Sequence, residues 1–449
     1  MTDRYVRSTD GSDADTGATW ALAKATGVGV TAIDAAGDRL FFSQAHAETT
    51  AGVVTFAVAG TNASPSQLLC GNDAAEPPTA LATTATVTVS TNAALSIGGS
   101  LYCYGLTFIS AGSIVLNSVA TNSVQVYENC SFQLTNAGSS GFLNSASSNN
   151  NTYRTELLNC TFKPSATANI HNICGDTVIR GGSFLTGSAA LVSVFRPQVD
   201  RTASRLDCSG FDFSNLGSSV NLFYGSGISS GKFVLRDCKL PASWTGSLVA
   251  SGLVGPGERF EMHNCDSTGT NYRLWVEDYA GSINSETTIV RTGGASDGTT
   301  GLSWKLATSA NTLYPTTKLE SPEIVQWNTT LSALTATVEI VHDTNVAGGQ
   351  GAGTGSRFQN DEIWLEVMYL GSSGSPLGTW IRDYKADVLA TAADQTDSSE
   401  TWTTTGLTTP QKQALSVTFT PAEVGYIVAR VVMAKASKTC YICPKLTVA

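Results

Sequence analysis

The side chains able to do chemistry in this 449-residue chain are mostly carboxylates and thiols, and their spacing limits what each can do. Glycoside hydrolysis needs two carboxyl groups facing one groove. The central part of the chain offers Glu128, Glu156, Asp176, Asp200, Asp207, Asp212, Asp237, Glu258, Glu261 and Asp266. Asp207 and Asp237 precede cysteines in a recurring motif and read as structural, which leaves Asp212 as the isolated candidate. Aromatic rings that could stack on sugars are sparse, chiefly Tyr224 and Trp244. Asp13-Ala14-Asp15 lacks the further oxygen ligands of a calcium cage and reads as an Asx-rich turn. The glycine-rich stretch 348–355 lacks the spacing and the following helix of a phosphate loop. Cys440 and Cys443 form a Cys-x-x-Cys pair with no second pair to complete a zinc site, and on a strand the two would point to opposite faces. His46, His171, His263 and His342 show no metal-type spacing, and no Gly-x-Ser-x-Gly elbow occurs. On these residues no catalytic, cofactor-binding or metal-binding set is assigned, and no cofactor is expected.

What must position these groups is a repeat. Its clearest copies are Tyr127-Glu128-Asn129-Cys130-Ser131-Phe132 and Leu157-Leu158-Asn159-Cys160-Thr161-Phe162. Weaker copies centre on Leu106, Gly182, Cys208, Cys238 and Cys265, with steps of 22 to 30 residues. The residue before the centre is always Asn, Asp or Gly, the types that tolerate the left-handed backbone of a sharp bend. Each copy reads as strand, one-residue bend, strand, with Cys and Phe turned inward. Units that cannot bury their own apolar face must stack. The expected architecture is a parallel β-helix with an Asx ladder along one edge and a column of packed, reduced thiols beside it.

Composition agrees with a mostly-β chain. Charged residues make up 14%, against about 25% in typical domains, while 42% are hydrophobic. The net charge of −10 and the absence of a basic stripe argue against nucleic-acid binding. No run reaches the length of a membrane span, and the polar opening has no apolar signal segment. The chain is therefore expected to be made in a cytosol, to stay soluble, and to keep its thiols reduced.

Residues 1–50 read as an N-terminal cap, with Thr19 to Ala25 as a helical turn or two plugging the end of the solenoid. Residues 51–100 form its first turns. After about residue 285 the Asn-Cys bends stop, and longer strands such as 335–341, 362–369, 414–419 and 426–433 suggest an antiparallel sandwich or jelly roll. The expected domains are 1–285 and 286–449.

Tyr5, Val6, Asp10, Gly11, Asp13, Gly17, Thr19, Trp20, Ala21, Gly37 and Asp38 follow a pattern that resembles the start of pectate-lyase-like right-handed β-helices, particularly those of phage proteins. The continuation Ser43 to Glu48 is similar to virion-associated proteins of tailed phages. The resemblance implies a right-handed solenoid, a homotrimer, and a structural protein on the virion surface that contacts capsid or tail proteins. With no coherent catalytic set, the expected role is a non-enzymatic capsid decoration or spike protein that contacts host surfaces, with a capsid position favoured over a tail position. The alternative is a tailspike that binds or cleaves host polysaccharide.

Overall fold

The computed structural model describes residues 1–116, 123–136, 153–173, 175–197, 204–224 and 231–244, with 144–145, 246 and 249–250. Beyond these it describes 258–268, 270–278, 287–292, 303–308, 317–320, 326–328, 331–342, 363–370, 381–382, 411–420, 424–433 and 439–448. Two compact units emerge: Met1–Tyr224 with Gly231–Ser243, and Gly225–Ser230 with Trp244–Ala449.

The first unit is a parallel β-helix. Its longest sheet stacks nine described strands in sequence order: Asp3–Val6, Arg39–Ser43, Ser66–Gly71, Leu101–Tyr104, Val124–Glu128, Arg154–Leu158, Asp176–Arg180, Ser204–Ser209 and Gly231–Arg236. Consecutive members pair in parallel with an unbroken register, for instance Tyr127 with Leu157, Leu157 with Ile179, Ile179 with Cys208 and Cys208 with Leu235. A second ladder follows each bend, through Thr86–Val89, Thr107–Ser110, Ser131–Leu134, Thr161–Lys163 and Ser183–Phe184. Its inward column carries Phe108, Phe132, Phe162 and Phe184. The first three rings stack at 5.6 and 5.7 Å.

The bend between the ladders is one residue in the left-handed region. Asn129, Asn159 and Asp237 have φ of 53°, 51° and 50°, and Gly105, Gly181 and Gly210 complete the column at 74°, 62° and 65°. Short polar side chains and glycine tolerate this conformation; others lose roughly 1–2 kcal/mol there. The residue after the bend turns inward and is often Cys for a specific reason. The Cys130, Cys160 and Cys238 thiols each reach the carbonyl of their own strand's last residue (Glu128, Leu158, Arg236) and a carbonyl one rung below (Cys103, Tyr127, Cys208). A thiol is small and apolar enough to pack here, yet donates weakly to carbonyls at the bend. Burial pushes the Cys70, Cys103 and Cys160 thiols up. All seven described cysteines are buried and free. Cys440 and Cys443 lie on the strand Thr439–Val448, and their side chains fall outside the described residues.

One copy of the repeat sits three residues from where the Asx-Cys pattern puts it. Cys208 pairs with Ile179 inside the strand, so the bend falls at Gly210 and Phe211 takes the cysteine position. Phe213 then fills the place of Phe184 and Phe162. Asp207 is thereby freed from the bend column and faces outward.

The N-terminal segment supplies a rung as well as a cap, because Asp3–Val6 pairs with Arg39–Ser43. Thr19 caps the turn Trp20–Leu22, and Trp20 packs edge-on against Tyr5 at 4.8 Å over Phe41 and Leu69. The short helix Gly27–Thr31 sits on Phe56, and the buried Glu48 carboxylate receives its first amide, from Gly27, at 2.6 Å. Asp13 accepts from the amides of Ala25 and Thr26 at 3.0 Å each and from the Thr26 hydroxyl at 2.7 Å, so its carboxylate ties the N-terminal loop to the start of the short helix.

The second unit holds two antiparallel sheets. One runs through Glu258–Ser267, Thr270–Asp278, Thr317–Glu320, Gly425–Met433 and Ile363–Leu370. The other runs through Thr287–Thr292, Ser303–Thr308, Thr439–Val448, Leu334–His342 and Gln411–Phe419. Ile363–Leu370 of one sheet lies against Gln411–Phe419 of the other. The glycine-rich stretch 348–355 lies outside the described residues. No described helix is long and apolar enough to cross a membrane.

Two outcomes follow for stability. Asn159→Val forces a β-branched residue into the left-handed bend and is expected to destabilise the first unit by about 1–2 kcal/mol, while Asn159→Gly is nearly neutral. Denaturant midpoints check this, and equal midpoints for Val and Gly would remove the bend as the constraint. His171 is packed against Phe195 and burial pushes its pKa down to about 3. The unfolded chain takes up this proton near pH 6.5 and the folded chain does not. Stability is therefore fully present above about pH 6.5 and is lost as pH falls toward 3, by on the order of 1 kcal/mol per pH unit. Thermal melts of His171→Leu are expected to show a shallower decline over that window than the parent protein.

Candidate functional site

Because side chains alternate across a strand, the register fixes which residues share the outer face of the long sheet. One outward column reads Tyr102, Val126, Glu156, Val178 and Asp207. A second reads Tyr104, Glu128, Leu158, Arg180, Ser209 and Arg236, and a third Val124, Arg154, Asp176, Arg205 and Lys232. Glu156 and Asp207 thus stand in the same column, separated by a single rung occupied by Val178. Two rungs at the usual strand spacing put their backbones roughly 9.6 Å apart.

Asp207 joins neighbouring rungs. Its Oδ2 accepts from Arg180 at 2.7 Å and its Oδ1 from Arg236 at 2.6 Å, while Arg180 also donates to the Asp207 carbonyl at 2.8 Å. Each of these side chains is about 40% exposed, so the network is open to solvent. Glu156 accepts from Arg154 Nε at 2.6 Å. One rung lower, the Tyr102 hydroxyl donates to Glu128 at 2.7 Å. Burial, then the hydrogen bond and charge of Glu128, push the Tyr102 phenol well above its ordinary range. This face presents carboxylates and guanidinium groups at fixed intervals on a rigid surface, which can bind hydroxyl-rich chains and transfer protons.

A second feature lies on another side of the helix, where Ser193–Pro197 pairs with Asn221–Tyr224 and with His171–Ile173. A cleft of about 260 Å³ is lined by Thr167, Asn169, Val192, Ser193, Arg196 and Tyr224, among others. The Arg196 guanidinium stacks 5.2 Å from the centre of the Tyr224 ring.

The residues singled out in the sequence are distributed unevenly. Asp212 is a turn-former: it accepts from the Ser214 amide at 2.7 Å and pairs with Lys239 at 3.3 Å. Burial pushes its carboxyl up, but the Ser214 hydrogen bonds and the Lys239 charge outweigh this and hold it below the usual range. It lies in the ladder after the bend, beside Ser183 and Lys239, away from the outward columns of the long sheet. Trp244 is fully buried and has no face to offer a sugar. Tyr224 is partly exposed and lines the cleft. Asp237 forms a bend, whereas Asp207 does not. Glu261 is buried and meets His263 Nε2 at 2.8 Å. Asp200 lies outside the described residues, as does the side chain of Glu258. Arg180, Arg196 and Arg236 were not singled out, although Arg180 and Arg236 stand immediately before the bends at Gly181 and Asp237.

No protein family matches the chain, and no curated protein sequence does. Among solved structures, one similar to it is the crystal structure of the enzymatically active domain of bacteriophage CBA120 tailspike protein 4. The two share 10% identity at a TM-score of 0.23, and the match covers 94% of this chain and 65% of that one. The chain thus spans just under two thirds of the length of the tailspike domain it matches. A likeness of that strength assigns no residue here. The expectation of a non-enzymatic protein is nonetheless corrected, since the neighbour is described as an enzymatically active domain.

Replacing the bridging carboxylate tests whether this face is needed for folding. Exposed ion pairs contribute about 0–1 kcal/mol. Asp207→Asn is expected to shift the denaturant midpoint by less than about 1 kcal/mol; a larger loss would make the network a structural clamp.

Proposed function

We propose that this chain is a tailspike-type protein of a bacteriophage particle whose β-helix binds host-surface polysaccharide and hydrolyses it. The observation that carries the reading is the pair Glu156 and Asp207 in one solvent-facing column, two rungs apart. Inverting glycosidases hold their two carboxyl groups about 6.5–9.5 Å apart, leaving room for the attacking water. The rung spacing puts the pair near that separation without any loop to position it. In this scheme one carboxyl of the pair takes the proton of the water as its oxygen bonds the anomeric carbon, and the other, arriving protonated, gives its proton to the leaving oxygen as the glycosidic bond breaks. Val178 between them offers an apolar patch to the sugar ring, and Arg154 and Tyr102 flank the track. The phage setting rests on the resemblance carried by Tyr5, Val6, Asp13, Trp20 and their neighbours.

The test is a reducing-end assay on capsular and lipopolysaccharide preparations from candidate host strains, beside a binding measurement on the same preparations. The parent protein is expected to release reducing ends from one of them. Glu156→Gln and Asp207→Asn are each expected to slow release by at least about 100-fold with binding retained. Binding without release would leave a receptor-binding protein that does not cleave. Neither binding nor release on any preparation would sink the reading.

A further inference from the structure

We propose that the Arg196–Tyr224 cleft is a subsite for a carboxylate-bearing sugar residue, so that the polysaccharide this protein takes is acidic; the inference rests on the polysaccharide reading above. Three observations lead there. The cleft has room for a sugar ring, and no carboxylate is among its described lining residues, although the chain carries a net charge of −10. Arg196 has no ion pair among the described residues, whereas Arg154, Arg180 and Arg236 each hold a carboxylate. Its guanidinium lies over the Tyr224 ring, and a guanidinium so placed can grip a carboxylate through two parallel hydrogen bonds. Stacking also lowers the ordering cost, because Arg196 and Tyr224 follow the paired residues Phe195 and Phe223 on neighbouring rungs.

Val192, 59% exposed, and Ile170 provide the apolar wall on which the C–H face of a pyranose rests. The cleft therefore matches two parts of a uronic-acid-type residue: carboxylate to Arg196 and ring face to Val192 and Ile170.

Calorimetry with a panel of acidic oligosaccharides tests this: oligogalacturonate, oligomannuronate, hyaluronan fragments and oligosialic acid, each beside its carboxyl-reduced form. At least one acidic member is expected to bind the parent protein, with its reduced form roughly tenfold weaker or worse. Arg196→Gln is expected to lose that discrimination while its melting temperature stays that of the parent, and Arg196→Lys, which keeps charge but not the fork, to fall between. Equal affinity for acidic and reduced forms, or unchanged discrimination in Arg196→Gln, would overturn the subsite. So would competition by inorganic phosphate as strong as that by the free sugar acid, since the site would then be a plain anion hole. Binding of neutral glycans alone would end this inference while leaving the polysaccharide reading intact; failure of every acidic member and every host preparation would end both.

Discussion

A single backbone conformation, repeated once per rung, sets the rest of the structure. Each turn of the solenoid must leave the long sheet and enter the next ladder within one residue, and that residue must sit near φ +50° to +75°. Asn, Asp and Gly meet the requirement at little cost, and the chain places one of them at every described bend from Gly105 to Asp237. Once the bend is fixed, the following side chain is forced inward and the one two residues further on joins the aromatic column. The thiol column and the Phe108–Phe132–Phe162 stack are thus consequences of the bend, with Cys favoured because it packs as an apolar group while its S–H meets carbonyls the bend exposes.

The same constraint orders the outside. A parallel stack in perfect register leaves no freedom in which outward residues meet, so Glu156, Asp207, Arg180 and Arg236 are placed by rung and column rather than by loop conformation. Steps between bends vary from 22 to 30 residues, and this variation is confined to the connections on the other sides of the helix. The connection preceding Tyr153 and the turns near Asn169 can change length without moving a carboxylate on the long sheet.

Much of this was legible in the sequence, and its failures are instructive. The parallel β-helix was readable because the bend demands rare residue types, and Asn129, Asn159 and Asp237 announced it directly. The later antiparallel strands were readable from their length and alternation. Cys208 misled because the eye follows cysteine, whereas the physics follows the left-handed residue; Asp207-Cys208 mimics a bend, but Gly210 makes it, and Phe211 and Phe213 continue the inward pattern. That three-residue slip hid Asp207 as a surface carboxylate. Trp244 and Asp212 were chosen for side-chain type alone, and burial of one and turn formation by the other could only be seen once the stack was assembled. The Arg196–Tyr224 pair joins residues 28 positions apart on rungs whose connection carries no bend motif, so no local pattern pointed to it.

A surface built this way has a discrete geometry. Groups in one column can be separated only by multiples of the rung spacing, about 4.8 Å. One rung is close to the separation at which a second carboxylate acts as a nucleophile, and two rungs to that at which a water fits between them. The column through Glu156, Val178 and Asp207 uses the two-rung option, with an apolar residue between the acids, and the adjacent column sets guanidinium groups diagonally on either side of Asp207. Extended polysaccharides repeat along their length as a stacked helix does, so each added rung can meet a further sugar with the same kind of contact. The bend that makes stacking possible also makes the surface periodic, and periodicity is what a repeating ligand can use.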